Sequence, residues 1–133
     1  MIYLLDTDTI IFFLRGNPSV ASKIRNVGDS NIATTTINLA ELYFGAFSST
    51  EVEHNIQLVD AFRQETRVFA FDTAAAVAFG QVKADLKRRK IPLNDSDLLI
   101  AASALATNSV LVTNNVRHFK RIEGLRWENW VPQ

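Results

Sequence analysis

Two short, continuously hydrophobic runs constrain the fold of this chain more than any other feature. They occupy residues 2–5 and 110–112, and neither alternates between hydrophobic and polar residues as a strand with one face in water does. Such runs are typical of strands in a parallel sheet that helices cover on both faces. With further strand candidates at 31–34, 67–71 and 125–127, they predict an α/β protein, a three-layer α/β/α sandwich around a twisted, mainly parallel sheet.

The segments between these strands carry helical patterns. Helices are predicted at 9–14, 18–27, 36–46, 51–64 and 74–89, with another from about 95 to 107 and a short basic helical turn near the end. Thr36 is the expected N-cap of the third helix, and the hydrophobic residues around that helix predict burial on all sides. With 133 residues, 47% of them hydrophobic and 21% charged, the chain is expected to form one domain over residues 1–133.

The composition excludes several classes of protein. The chain has no cysteine, so neither disulfides nor thiolate zinc sites contribute. No stretch approaches the roughly 20 hydrophobic residues of a membrane span, and the first residues lack the positive charge that opens a signal peptide. We therefore expect a cytoplasmic protein without a membrane partner. Its 14 basic and 14 acidic residues give a net charge of zero, so the total charge indicates no particular partner.

Three carboxylates interrupt hydrophobic sequence. Asp6 directly follows the first run, Glu41 lies within the hydrophobic stretch 37–47, and Asp97 directly precedes the hydrophobic stretch 98–102. A desolvated charge is costly unless it is paired or bound to a cation. Asp6 could simply cap a helix, and a helix dipole favours Asp97 by roughly 0.3–1 kcal/mol. Glu41 lacks a basic partner at helical spacing, which favours a functional interpretation for it. Three such residues in one small domain indicate one shared site.

Polar residues follow both hydrophobic runs. Asp6 and Asp8 come after the first, and Thr113 and Asn115 after the second. Because ligands of open parallel sheets bind beyond the carboxyl ends of the strands, these four side chains are expected to share a pocket. Asp8 either joins that pocket or caps the following helix. Two acids, Asp95 and Asp97, lie at the start of the helix near 95–107. One of them is expected to cap the helix and the other to face the pocket. Asp97 is the better candidate for a ligand of the site, and Asp95 is the alternative.

Carboxylates that lie close together raise one another's pKa unless a cation sits between them. An all-oxygen site without cysteine favours a hard cation, Mg²⁺ or Mn²⁺. The reaction class that follows is metal-assisted hydrolysis of a phosphodiester or phosphate. His118 is a candidate general base, but its basic, surface-like surroundings favour a solvated or phosphate-contacting histidine.

Two basic blocks offer candidate contacts to a phosphate backbone. Taken alone, each is better explained as a solvated helix face. The RNA-binding candidates in these blocks are Lys87, Arg88, Arg89, Lys90, Arg117, His118, Lys120 and Arg121.

Four segments, in this order, resemble one family. They are LLDTD at 4–8, TINLAELYFGA at 36–46, DLLIAASAL at 97–105 and VLVTNNVRHFKRIEGLRWENW at 110–130. Each is weak alone, but the ordered set resembles PIN-domain ribonucleases, and specifically the VapC-type toxins of bacterial toxin–antitoxin pairs. The resemblance spans essentially the whole chain and implies a PIN-like fold.

The resemblance also implies roles for individual residues. Asp6 and Asp97 would be the principal Mg²⁺ ligands, with Mn²⁺ as a possible substitute, and Glu41 would be the third catalytic acid. Asp8 stands where the family commonly has asparagine. Asn115 stands where many members have a fourth acid, which implies one firmly held metal ion and a second that arrives with the RNA. The auxiliary pocket would then consist of Asp8, Asp95, Thr113 and Asn115.

As for activity, the resemblance implies endonucleolytic cleavage of RNA by a metal-activated water, leaving a 5′-phosphate and a 3′-hydroxyl. Substrates would be tRNA or other structured RNAs cut in exposed loops. A VapB-type antitoxin would neutralise the enzyme by blocking the acidic pocket with its tail, and the enzyme itself would form a homodimer.

Two alternatives start from the same residues. The segment IYLLDTDTI at 2–10 is similar to the first motif of haloacid-dehalogenase phosphohydrolases, with Asp6 as nucleophile and Asp8 as acid/base. That family needs a later lysine and a further acidic pair, yet no acid follows Val110 before Glu123. In a non-enzymatic α/β module that binds a partner, the acids would be caps and ion pairs. Both alternatives leave Glu41 unexplained.

Overall fold

The computed structural model describes residues 1–132. The strands in this part of the chain are β1 Tyr3–Leu5, β2 Ile32–Thr35, β3 Arg67–Phe69, β4 Val110–Val112 and β5 Trp127–Glu128. The helices are α1 Thr7–Leu14, α2 Pro18–Val27, α3 Thr36–Phe47, α4 Val52–Glu65, α5 Thr73–Arg88, α6 Asp95–Ala106 and α7 Val116–Phe119, with a 3₁₀ turn at Asp29–Asn31.

The five strands form one sheet in the order β3-β2-β1-β4-β5. Every neighbouring pair is parallel, so the prediction of a mainly parallel sheet is confirmed. The chain runs from β1 outwards to β2 and β3 and then returns to β4 on the other side of β1. The border between β1 and β4 is therefore the point where the strand order reverses, and the carboxyl ends of such strands form the ligand site of open α/β sheets.

Successive residues of the central strands face opposite layers. Leu5 and Val112 belong to a hydrophobic cluster with residues of α1 to α4, whereas Leu4 and Leu111 belong to a second cluster with residues of α5, α6 and α7. All four are fully buried, and burying each such side chain stabilises the fold by roughly 1.5–3 kcal/mol. The two clusters lie on the two faces of the sheet, which confirms the predicted three-layer sandwich.

Several boundaries differ from the prediction by one or two residues. Thr35, not Thr36, caps α3: its hydroxyl accepts a hydrogen bond from the backbone N–H of Asn38 at 3.1 Å. Strand β3 ends at Phe69, and β5 lies at Trp127–Glu128 rather than at 125–127. Pro18 occupies the first turn of α2 behind the capping Asn17, as its fixed φ favours.

None of the helices within residues 1–132 has the length and hydrophobicity needed to cross a membrane.

Candidate active site

Asp6 lies where β1 ends and α1 begins, and its side chain caps α1. Only 4% of the residue is exposed. Its Oδ1 accepts hydrogen bonds from the backbone N–H of Thr7 at 2.8 Å and from the amide of Asn38 at 3.3 Å, and its Oδ2 accepts one from the hydroxyl of Thr113 at 2.8 Å. The capping role and the position in the pocket, considered as alternatives from the sequence, belong to the same carboxylate.

Burial raises the pKa of Asp6 from 3.8 to about 6, because a desolvated carboxylate is harder to ionise. The hydrogen bonds from Thr113 and Thr7 oppose this shift, and the negative charges of Asp8 and Asp97 add to it. Asp6 is thus close enough to two other carboxylates for their charges to affect its ionisation. A cation bound nearby would reverse this effect.

Asn38 is a site residue that the sequence reasoning missed. It is fully buried in the first turn of α3. Its side-chain oxygen accepts a hydrogen bond from the hydroxyl of Thr35 at 2.6 Å, and its amide donates to Asp6 and, at 3.0 Å, to the hydroxyl of Thr7. A polar amide three positions before Glu41, in an otherwise hydrophobic helix, is the signal that could have identified it.

Glu41 does not have the environment that the sequence predicted. The residue is exposed, so the expectation that α3 is buried on all sides is wrong. Two phenylalanines on the same helix, Phe44 and Phe47, are 74% and 66% exposed. A hydrophobic residue is not buried merely because of its type, and nothing within residues 1–132 covers this face of α3 well enough to bury it.

Glu41 is nevertheless held in a defined position. Its Oε1 accepts a hydrogen bond from the hydroxyl of Thr7 at 2.5 Å, and its Oε2 accepts one from the hydroxyl of Ser96 at 3.1 Å. These donors come from α1 and α6, so Glu41 connects three helices. Hydroxyl groups, rather than the basic side chain that the sequence lacked, hold this carboxylate.

Asp97 lies in the first turn of α6, where Asn94 is the N-cap. Asn94 accepts a hydrogen bond from the backbone N–H of Asp97 at 2.8 Å, and its side-chain amide donates to Oδ2 of Asp97 at 3.0 Å. The same Oδ2 lies 2.9 Å from Nδ1 of His118, and 15% of the Asp97 side chain is exposed. His118 therefore contacts a site carboxylate from α7.

The remaining pocket candidates separate into two groups. Thr113 is fully buried against Asp6, and the amide of Asn115 lies 3.5 Å from Oδ2 of Asp8, so these residues do line the region between β1 and β4. Asp95 instead forms an exposed ion pair with Lys83 at 2.9 Å, with 65% of its side chain exposed. Asp95 therefore lies apart from the acidic cluster, the name used below for Asp6, Glu41 and Asp97.

All eight basic candidates are exposed. Asp85 pairs with Arg88 at 3.8 Å and with Arg89 at 2.9 Å. Arg89 also donates a hydrogen bond to the backbone carbonyl of Arg121 at 3.0 Å, which joins the end of α5 to the segment after α7. The two basic blocks are therefore neighbours in space.

The acidic cluster fits a divalent ion that prefers oxygen ligands. Within residues 1–132, no group of three His, Asp or Glu side chains could enclose an ion on its own. Mg²⁺, however, is usually held by one or two carboxylates together with water and substrate phosphate, without a complete protein cage. Asp6 and Asp97 repel each other's charge, and each carboxylate oxygen can accept more hydrogen bonds or ligand contacts than the structure uses.

Comparison with known proteins identifies the family. The family model of the PIN domain matches residues 3–125. The tRNA(fMet)-specific endonuclease VapC of Salmonella typhimurium is 38% identical over 128 residues, which cover 96% of this chain and 97% of that protein. Ribonuclease VapC2 of Rickettsia felis is 35% identical over 132 residues, 98% of each chain.

Two solved structures have the same fold over nearly their whole length. One is VapBC2 from Rickettsia felis bound to a promoter DNA fragment, with a TM-score of 0.93, 33% identity, and coverage of 98% of this chain and 100% of that chain. The other is DNA-bound VapBC from Salmonella typhimurium, with a TM-score of 0.92, 36% identity, and coverage of 98% and 99%. These matches favour the PIN-domain interpretation over the phosphohydrolase and partner-module alternatives. The chain belongs to the PIN-domain family and, within it, to the VapC-type endoribonucleases.

Proposed function

We propose that this chain is the toxin of a toxin–antitoxin pair and cuts RNA as a Mg²⁺-dependent endoribonuclease. The observation that carries the proposal is the arrangement of three acids. The charge of Asp97 acts on Asp6, and Glu41 is linked to Asp6 through Thr7 and Asn38. Several acids in one centre, one of them with a raised pKa, suit a reaction in which a divalent cation balances negative charge. The names of the VapC relatives support the same reaction.

The three acids would have different roles. Asp6 and Asp97 would hold the ion. Glu41 keeps lone pairs beyond those that Thr7 and Ser96 use, so it can accept a hydrogen bond from the water that attacks the phosphodiester. When bound, Mg²⁺ supplies positive charge that lowers the pKa of a water and offsets the charge of the phosphate. Cleavage would leave a 5′-phosphate and a 3′-hydroxyl.

The proposed substrate is a tRNA or another structured RNA, cut in an exposed loop. One relative is named as a tRNA(fMet)-specific endonuclease, which supports this class of RNA. Unpaired bases in loops can be turned outwards and bound individually, whereas bases in a helix cannot. Structured RNAs therefore offer accessible cleavage sites mainly in their loops.

The test uses purified protein freed of any partner, incubated with tRNA and Mg²⁺ or Mn²⁺. We expect discrete cleavage products that disappear in EDTA and fall at least about 100-fold in Asp6→Asn and Asp97→Asn, equal to about 3 kcal/mol of transition-state stabilisation. Asp95→Asn is the matched control, because this acid pairs with Lys83 on the surface. Normal cutting by Asp97→Asn, or release of phosphate from small esters without RNA cutting, would refute the proposal.

A VapB-type antitoxin is the proposed protein partner, as in the VapBC complexes among the structural relatives. Two clefts, of about 240 and 280 Å³, share Leu14 and Leu58, and the first is lined in part by Glu41. A hydrophobic segment of the antitoxin would occupy these clefts, and its tail would reach the acids. The variant Leu14→Asp should bind the antitoxin at least tenfold more weakly, as measured by isothermal titration calorimetry. If this variant binds the antitoxin as tightly as the parent does, the clefts are not the antitoxin-binding surface.

We also propose that the enzyme forms a homodimer through α3. Phe44 and Phe47 lie on the side of α3 opposite Leu42 and Ala46, which line the antitoxin cleft. The antitoxin would therefore leave these phenylalanines uncovered, and a second copy of the chain would bury them. Analytical ultracentrifugation should give a dimer for the parent and a monomer for the Phe44→Glu/Phe47→Glu variant; a parent that sediments as a monomer would contradict the proposal.

A further inference from the structure

Two neighbouring clefts lie between the C-terminal end of α5, the segment that follows α5, and helix α7. The first has a volume of about 380 Å³. It combines a rim of cationic side chains with a hydrophobic floor. The rim consists of Lys83, Lys87 and Lys90, and the floor includes Leu86, Ile91 and Leu93.

The second cleft, of about 510 Å³, is lined by polar and basic residues. Arg117 and Arg121 supply its cationic side chains, and His118 and Asn94 lie on its wall. Pro92 and Leu93 line both clefts. The two clefts therefore form one track that passes over Pro92 and Leu93.

This track reaches the acidic site. Asn94 and His118 line the second cleft, and both contact Oδ2 of Asp97, at 3.0 and 2.9 Å. Only one side chain therefore separates this end of the track from a proposed metal ligand. A polymer bound at the acids could continue into the track without crossing the body of the protein.

Most positive charges of the track remain available to a ligand, although Lys83 pairs with Asp95. No acidic residue lines either cleft. Within residues 1–132, Lys87, Lys90 and Arg117 form no ion pair. Arg88 and Arg89 differ, because both pair with the single carboxylate of Asp85. Lys87, Lys90 and Arg117 thus line the track without a carboxylate partner.

We propose that this track binds the single-stranded RNA next to the bond that is cut. The base of an unpaired nucleotide would lie on the hydrophobic floor of the first cleft, and Lys87 and Lys90 would contact the adjacent phosphates of the RNA backbone. Arg117 and Arg121 would contact the phosphates nearer to Asp97. Single-stranded nucleic acids are commonly bound by cations that contact the backbone and by side chains, usually aromatic, that contact the bases; here aliphatic side chains form the base-contacting surface. The inference rests on the proposed RNA-cleaving function and names the path of its substrate.

The test compares Lys87→Gln/Lys90→Gln with the control Lys23→Gln/Arg25→Gln. Both pairs remove two positive charges, and each includes a basic residue in the last turn of a helix, α5 or α2. The substrate is a tRNA cut by the parent, and a second assay measures binding of single-stranded RNA by anisotropy in the Asp6→Asn background. We expect the KM of the first pair to rise about tenfold with kcat within about twofold, and the control to match the parent.

Salt dependence distinguishes phosphate contacts from a general loss of stability. Each phosphate contact to a single strand contributes about 0.7 to the slope of log affinity against log salt, so the first pair should lose about 1.4 and the control nothing. Equal slopes and KM values for the two pairs would overturn the inference, as would loss of antitoxin binding with unchanged RNA binding. If the parent cuts no RNA but binding still depends on Lys87 and Lys90, the proposed function fails and the binding track stands.

Discussion

The strand side and the helix side of the acidic site are held by different means. On the strand side, Asp6 is buried and fixed by a backbone N–H, by Thr113 and by Asn38. On the helix side, Glu41 is exposed and held by hydroxyl groups of other helices. The first arrangement depends on the packing of the sheet, and the second on hydrogen bonds between side chains of three helices near the surface. We therefore expect the strand side to be the more rigid of the two.

Preorganisation on the strand side has a cost in stability. An ionised carboxylate at a desolvated position destabilises the folded state, which is why the pKa of Asp6 is raised. Glu41 is exposed, so its charge causes no comparable loss of stability. Residues that serve chemistry often lower stability in this way, so the two sides should respond differently to the same loss of charge.

The largest expected effect is the pH dependence of stability that comes from Asp6. Its pKa is about 6 in the folded protein against 3.8 in the absence of structure, so between these values the folded state binds more protons than the unfolded state. The free energy of unfolding should therefore fall as pH rises from about 4 to about 6, by up to about 3 kcal/mol. Urea denaturation in EDTA measures this, and Asp6→Asn should abolish the fall.

Glu41→Gln is the control for this measurement. It removes a carboxylate from the helix side, which is exposed, and should leave the fall in stability in place. A parent protein whose stability rises between pH 4 and 6, or an Asp6→Asn variant that is less stable than the parent at pH 7.5, would contradict the comparison.

A smaller effect is expected when the strand side loses its buried amide. Asn38→Ala removes the hydrogen bonds to Asp6, Thr7 and Thr35 and should lower the free energy of unfolding by about 1–3 kcal/mol, because buried polar groups lose their partners. Thr36→Ala is the matched control: the residue is exposed in the same turn of α3. Equal stability of the two variants would mean that Asn38 is not needed to hold the strand side.

The smallest effect is expected on the helix side. Ser96→Ala removes a single hydrogen bond to Glu41 and should reduce the cleavage rate about threefold, with a change in stability of at most about 0.5 kcal/mol. Thr7→Val should reduce the rate more, because the Thr7 hydroxyl contacts both Glu41 and Asn38. A rate loss from Ser96→Ala as large as that from Thr7→Val would contradict this order of effects.

The convergence of Asp6 and Thr113 could be predicted from the sequence because it depends on topology. Parallel strands align their carboxyl ends, so residues that follow β1 and β4 must meet even though they are distant in the chain. The N-cap of α6 was not predicted in the same way, because an acid was expected to cap this helix and Asn94 is the N-cap. Patterns that depend on topology are thus readable without coordinates, whereas the choice between neighbouring capping residues is not.

The exposure of Glu41 could not be predicted in the same way. It depends on which face of α3 other elements cover, and a helix with hydrophobic residues on most sides does not reveal this. The position of Asp95 depends likewise on Lys83 of α5, twelve residues away. Strand β5 has only two residues and forms by pairing with β4, so its boundaries follow from its neighbour more than from its own sequence.

The hydrogen bond between Thr113 and Asp6 joins residues that are 107 positions apart. Ribosomes add roughly 5–20 residues per second, so several seconds pass between the synthesis of these two residues. Throughout that time, β1 lacks one of its two neighbouring strands, β4, and Asp6 lacks its hydroxyl donor. We therefore expect the emerging chain to be inactive until translation has passed Thr113, so the enzyme cannot cut RNA on the ribosome while most of its own chain is still being made.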